Sequence, residues 1–128
     1  MKGAIVKKLV IILIVALHVP VSAQDFKSAD RELNQVYQQV IQRYGDRPEF
    51  VAKLQAAQRA WIKFRDAQVE AMYPAVDKQK EYGSVYPACA ESVLRELTEA
   101  RTIQLRRWLE GVDEGDACAG SIKLKAPR

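Results

Sequence analysis

Leu33, Val36, Tyr37, Val40, Ile41 and Tyr44 recur at spacings of three and four residues, the repeat of one face of an α-helix. The spacing predicts a helix over residues 28–44, with Ser28 or Asp30 as its cap and Gly45 as a left-handed stop. Pro48 suits the first turn of a second helix, where a missing N–H costs nothing, and Glu49 suits the positive end of its dipole. That helix is expected to end near Tyr73, because Pro74 disfavours helical geometry in its predecessor. Phe50, Val51, Leu54, Ala57, Trp61, Phe64 and Gln68 trace its inner side. A third helix is expected over residues 88–110, stopping at Gly111. Its apolar face holds Val93, Leu94, Leu97, Ala100, Leu105 and Trp108, with either Ile103 or Gln104. The chain has no strand alternation, internal repeat or low-complexity block. The predicted fold class is all-α: an antiparallel three-helix bundle with two long helices.

Two segments break this periodicity. Residues 74–87 form a 14-residue connection, whereas most links in helix bundles are shorter than about 8 residues. The connection holds two prolines, Gly83, the charged Asp77, Lys78, Lys80 and Glu81, and two tyrosines. Lys78, Lys80, Tyr82, Ser84 and Tyr86 offer donors and rigid aromatic area, which makes this loop the candidate partner-binding site. A solvated connector is the alternative reading. The segment 112–128, with Gly115, Gly120 and Pro127, is expected to be an irregular tail partly pinned through Cys118.

The N-terminus reads as an export signal. Lys2, Lys7 and Lys8 precede an apolar run from Leu9 to Val19, interrupted only by His18, and Val21-Ser22-Ala23 places small residues where a signal peptidase cuts. The run supplies 11 positions before Pro20, against the roughly 20 apolar residues of a membrane span. Cleavage after Ala23 is therefore expected, and no cysteine follows the run to take a lipid. The expected organisation is a leader over 1–23, a helical domain over 24–111 and the tail over 112–128. The product would be periplasmic or secreted, without membrane insertion after cleavage.

Cleavage changes the charge balance. The whole chain has 20 basic and 16 acidic residues; removing the three leader lysines leaves 17 against 16. No basic excess remains to attract nucleic acid. The single histidine leaves with the leader, and with it the commonest general acid–base and metal ligand. No nucleophile stands beside a base, and no metal-ligand spacing or phosphate loop is present. The reading assigns no catalytic residue, no metal and no cofactor, and does not make the protein an enzyme.

Polar residues crowd the predicted core stripes. Gln58, Trp61 and Arg65 share one side of the second helix. Arg65 and Arg101 stand on neighbouring helices, where Asp30, Asn34 or Asp66 could hold them by charge-assisted hydrogen bonds. Such a set is either a buried network that fixes helix register or a groove that recognises a partner.

The order of these residues is similar to a known pattern. Asp30 leads into Leu33-Asn34-x-x-Tyr37. Then come Gln58-x-x-Trp61-x-x-Phe64-Arg65-Asp66, Cys89, and Thr98-x-x-Arg101-x-x-x-Leu105. Together they resemble the LprI-type lysozyme-inhibitor-like family of small secreted bacterial proteins, over roughly residues 28–109. The resemblance implies a binding protein that inhibits lysozyme, so the expected partner is a lysozyme or another envelope protein; filling the enzyme's cleft, which holds two carboxylates, is the physical mechanism expected. The alternative is a structural or envelope-stress interaction protein with no lysozyme target. The cysteines depart from the family pattern. Val69 stands where members place a cysteine after the Arg-Asp pair, so Cys89 lacks its usual partner, and the tail keeps only Cys118 of a local pair. Cys89 and Cys118 either bond to each other, stay free, or pair between molecules. An internal bond is barely within reach: a helix from residue 89 to 110 advances roughly 32 Å, and the eight residues to Cys118 return at most about 28 Å.

Overall fold

The computed structural model describes residues 25–126, which form four helices: α1 (Phe26–Arg43), α2 (Pro48–Met72), α3 (Lys78–Tyr82) and α4 (Tyr86–Glu110). The leader expected over residues 1–23 lies outside the described residues. The protein is all-α; among the described residues the β contact is one isolated bridge between Val112 and Leu124. Contacts at both ends give the directions of the long helices. The Phe26 N–H donates to Glu91 and the Tyr44 hydroxyl to the Trp108 carbonyl, so α1 and α4 run the same way. Phe50 meets Trp108 while Gln58 meets Arg101, so α2 runs against α4.

Helix α1 follows its predicted stripe. Leu33, Val36 and Val40 are buried, with Tyr44 fully buried at the C-cap and Tyr37 and Ile41 packed beside them. The start is earlier than expected: Asp25, not Ser28 or Asp30, is the cap, and its carboxylate accepts from the Ser28 N–H at 2.7 Å. The stop also differs. Gly45 has no positive φ, because the chain turns tightly instead, with the Arg47 N–H reaching the Tyr44 carbonyl at 2.8 Å. Helix α1 packs chiefly on α4, and short side chains are buried on both helices: Ala29 on α1, Thr98 and Thr102 on α4.

Helix α2 buries Leu54, Gln58 and Val69, with Phe50, Val51 and Trp61 half-buried. Ala57 and Phe64, expected on its inner side, are exposed. The contact stripe passes through 54, 58, 61, 65 and 69; at about 100° per residue, positions 57 and 64 fall to one side of it. Helix α4 corrects its predicted face in the same manner. Ala100, Ile103 and Gln104 are exposed, and the buried positions are Thr98, Thr102 and Leu105. Its first turn begins at Tyr86, two residues earlier than expected, with Pro87 inside that turn where a missing N–H is harmless.

The tail is irregular but docked. Val112 donates to the Lys123 carbonyl and accepts from the Lys125 N–H, closing a loop back onto α4. Lys123 then reaches the α1–α2 turn. Its N–H donates to the Tyr44 hydroxyl at 2.8 Å, and its ammonium to the Arg43 carbonyl and Asp46. Trp108 Nε1 donates to Ser121 Oγ at 3.0 Å. Gly111 permits this approach: at φ +77 its position has no room for a Cβ, which would sit 2.9 Å from the Lys123 carbonyl oxygen. The anchors are thus Ser121 and Lys123, and the expected pin, Cys118, is exposed. Both cysteines are free thiols. Cys89 lies in the first turn of α4 while the tail docks beyond its last, so the helix length keeps them apart.

Candidate functional site

The connection between α2 and α4 is a built knob. Tyr73 caps α2, its N–H bonded to the Val69 carbonyl, and Pro74 prevents another turn. Asp77 then starts α3, accepting from the Lys80 N–H at 3.0 Å. Gly83 at φ 76 ends that helix in a conformation other residues rarely adopt, and the chain turns into α4.

Three tyrosines hold the knob together. Tyr73 lies edge-on to both Tyr82 (5.3 Å between centroids) and Tyr86 (5.2 Å), and Tyr82 lies 6.1 Å from Tyr86. The Tyr82 hydroxyl also accepts from the Ala75 N–H at 3.2 Å. Lys78 turns inward: its ammonium donates to Glu70 at 2.8 Å and to the carbonyls of Tyr73 (2.8 Å) and Ala75 (3.3 Å). A cation there satisfies carbonyls left open at the C-terminus of α2. The bond to Glu70 holds the Lys78 ammonium above its ordinary pKa. Desolvation, and next the proximity of Cys89, raise the Tyr73 hydroxyl in turn.

The knob therefore divides the predicted loop residues into two sets. Lys78, Tyr82 and Tyr86 are structural supports, half-buried and turned to the protein. Lys80 and Ser84 are exposed. Periodicity alone missed the apolar groups at this end: Met72, Val76 and Val85 are all exposed, Val76 completely. The signal for Val76 and Val85 was local, since each stands within two residues of a Pro or Gly, outside the helices. Among the described residues no three His, Cys, Asp or Glu gather to hold a metal. None of their helices is long and apolar enough to cross a membrane.

The stripe on α2 has a different character. Arg65 is only 12% exposed, with Asp66 at 2.9 Å, Asp30 at 3.4 Å, and its guanidinium 5.3 Å from the rings of both Phe26 and Trp61. Asn34 donates to Asp30 at 3.3 Å, which completes the set joining α1 to α2. Arg101 lies further along and is separate. Its Nε donates to Gln58 and its Nη1 to Gln104, both at 3.0 Å. Burial lowers its pKa. Leu33, Tyr37, Thr98 and Leu105 belong to the core or its edge.

Comparison with known sequences places this architecture. Residues 20–105 match the family described as "Lysozyme inhibitor LprI". The chain is also 34% identical, over 101 residues and 70% of each chain, to the uncharacterized protein R02472 of Rhizobium meliloti (strain 1021). No solved structure matches. The chain belongs to the LprI lysozyme-inhibitor family.

Proposed function

We propose that this LprI-family protein is exported to the periplasm or beyond and inhibits a peptidoglycan-cleaving lysozyme by placing the α2–α4 knob in the enzyme's cleft. The observation that carries this reading is the pairing of a braced interior with an apolar tip. Lys78 and the three tyrosines fix the knob, while Met72, Val76 and Val85 face solvent at the same end. Exposed apolar side chains on a pre-ordered support lose little entropy when they enter a pocket, and lysozymes offer a deep one flanked by two carboxylates. Lys80 and Ser84 beside the tip supply donors for those acids.

A second reading has one observation in its favour. The chain without its leader has 17 basic and 16 acidic residues, so long-range attraction to a strongly cationic lysozyme is weak. In that reading the knob meets a different envelope protein. Cell-wall lysis by a panel of lysozymes, with and without purified protein at low and physiological salt, separates the two. Dose-dependent inhibition of one enzyme class is expected. A large molar excess that slows none of them rejects the lysozyme reading and sends the search to other envelope proteins.

A further inference from the structure

The knob leaves unused a cleft at the opposite end of α2, where that helix, α4 and the tail converge. Its volume is about 290 Å³, with Phe50, Leu54 and Trp108 as apolar walls and Lys53, Arg101 and Ser121 as polar groups. The walls are set by packing: Phe50 lies 5.9 Å from Trp108, and Ser121 fixes the indole through its N–H.

Arg101 is the unusual member. A guanidinium has five N–H donors. Here two bond to neutral amides, those of Gln58 and Gln104, and among the described residues no carboxylate pairs with it. The other half-buried arginines among the described residues each find an acid: Arg65 has Asp30 and Asp66, Arg95 has Glu99, and Arg106 has Glu32. Gln58 is itself buried, so the amide that orients Arg101 is fixed. Burial acts on this guanidinium with no opposing charge to offset it. Lys53, which has no ion-pair partner among the described residues, adds a second positive charge on the cleft wall.

We infer that this cleft is a binding site for a carboxylate carried on an apolar group, with Arg101 as its anion-binding residue and Phe50 and Trp108 as its apolar walls. A carboxylate accepts two parallel N–H bonds from a guanidinium, a fit that uses the donors the protein leaves open. The volume lies near the lower end of ligand pockets, which suits one amino-acid side chain with its carboxylate. The cleft shares Phe50, Lys53 and Ser121 with a wider depression of about 700 Å³ that Arg47 and Glu49 also line. A chain leaving the cleft therefore has a path outward, so the cleft admits both a free acid and the carboxylate end of a peptide.

Titration of the purified protein by two-dimensional NMR tests the site, with N-acetyl-Ala-Phe, its C-terminal amide and 3-phenylpropionate as probes. The protein has two tryptophans; the Trp108 indole signal should move saturably, while that of Trp61 serves as control. The free acid should bind at least about tenfold more tightly than the amide. Arg101→Gln should remove that preference, and Lys53→Gln, a change at an exposed position, should reduce it. If Arg101→Gln does not fold, the acid-to-amide ratio and Lys53→Gln still decide. A dipeptide at least about tenfold tighter than 3-phenylpropionate identifies a peptide end as the source; equal affinities identify a free acid. Equal binding of acid and amide overturns the inference, as does a motionless Trp108 signal up to ~10 mM of every probe. The site is independent of the knob, and its failure leaves the inhibitor reading untouched.

Discussion

The Tyr44 hydroxyl, buried where α1 ends, donates to the Trp108 carbonyl oxygen at 3.1 Å. It also accepts from the Lys123 N–H at 2.8 Å, so one oxygen joins α1, α4 and the tail. The ring completes the clamp, lying 4.7 Å from Phe50 and beneath the Lys123 ammonium at 4.8 Å. Tyr44→Phe keeps the ring but orphans a carbonyl and an N–H, which should cost about 1–3 kcal/mol. Hydrogen exchange at the Lys123 amide should accelerate with the loss of global stability and beyond it. Unchanged exchange at that amide would show the tail to be held by its side-chain contacts alone.

Thr98 should respond in the opposite direction. Its side chain is fully buried and its Oγ1 has no hydrogen-bond partner, whereas Thr102 bonds back to the Thr98 carbonyl at 3.0 Å. Thr98→Val preserves the branched shape and removes an uncompensated polar group. Stability should rise by about 1 kcal/mol, read as an increase of a few degrees in melting temperature. A drop in stability would mean that the hydroxyl has a partner in solution, such as a buried water.

These two residues also separate what the sequence makes legible from what it hides. Tyr44 closes a stripe at helical spacing, and α1 folds on that stripe as read. Thr98 and Thr102 scan as polar, yet both are buried on α4, where the Thr102 hydroxyl turns back to the Thr98 carbonyl of its own helix. In α2 the reading drifts one position, to Ala57 and Phe64, since the true stripe contains Gln58 and Arg65 and a polarity scan rejects both. Helix α3, with five residues, is too short to have a period. The tail's anchors are mostly backbone groups, which leave no mark in composition. Of the candidate site, the loop's position was legible; the bracing by Tyr82 and Tyr86 and the inward turn of Lys78 were not, because they depend on where Tyr73 and the carbonyls at the end of α2 point.

That inward turn gives the knob a pH dependence. Lys78 bonded to Glu70 and Tyr73 desolvated beside Cys89 both hold their protons more tightly in the fold than in the unfolded chain. Their contribution to stability is complete below about pH 10 and is lost as pH rises through the raised values. The effect runs the other way for Asp46, whose bond to Lys123 lowers its pKa. Its contribution is present above the ordinary carboxylate range, near about pH 4, and is lost as pH falls through the depressed value. Hydrogen exchange should therefore show the knob amides of Ala75 and Lys80 loosening in alkali, and the tail contact at Lys123 loosening in acid. Protection that falls together at both ends of the molecule, at either extreme, would point to global unfolding instead.

The division of the knob into braces and tip determines which substitutions test the inhibitor reading. Lys78→Ala and Tyr82→Ala remove bonds that hold the loop, so a loss of inhibition there would be ambiguous. The side chains of Val76 and Val85 are exposed. Val76→Glu with Val85→Glu should leave stability within about 0.5 kcal/mol of the parent. An apolar contact replaced by a buried, unpaired charge near lysozyme's own carboxylates should weaken inhibition at least about tenfold. Lys80→Ala, beside the tip, should cost less, as a rim contact does. Full inhibition by the double variant, measured as residual cell-wall lysis against inhibitor concentration, would move the contact surface away from the knob. The exposed Phe64 and Ile62 on α2 would then be the next positions to change.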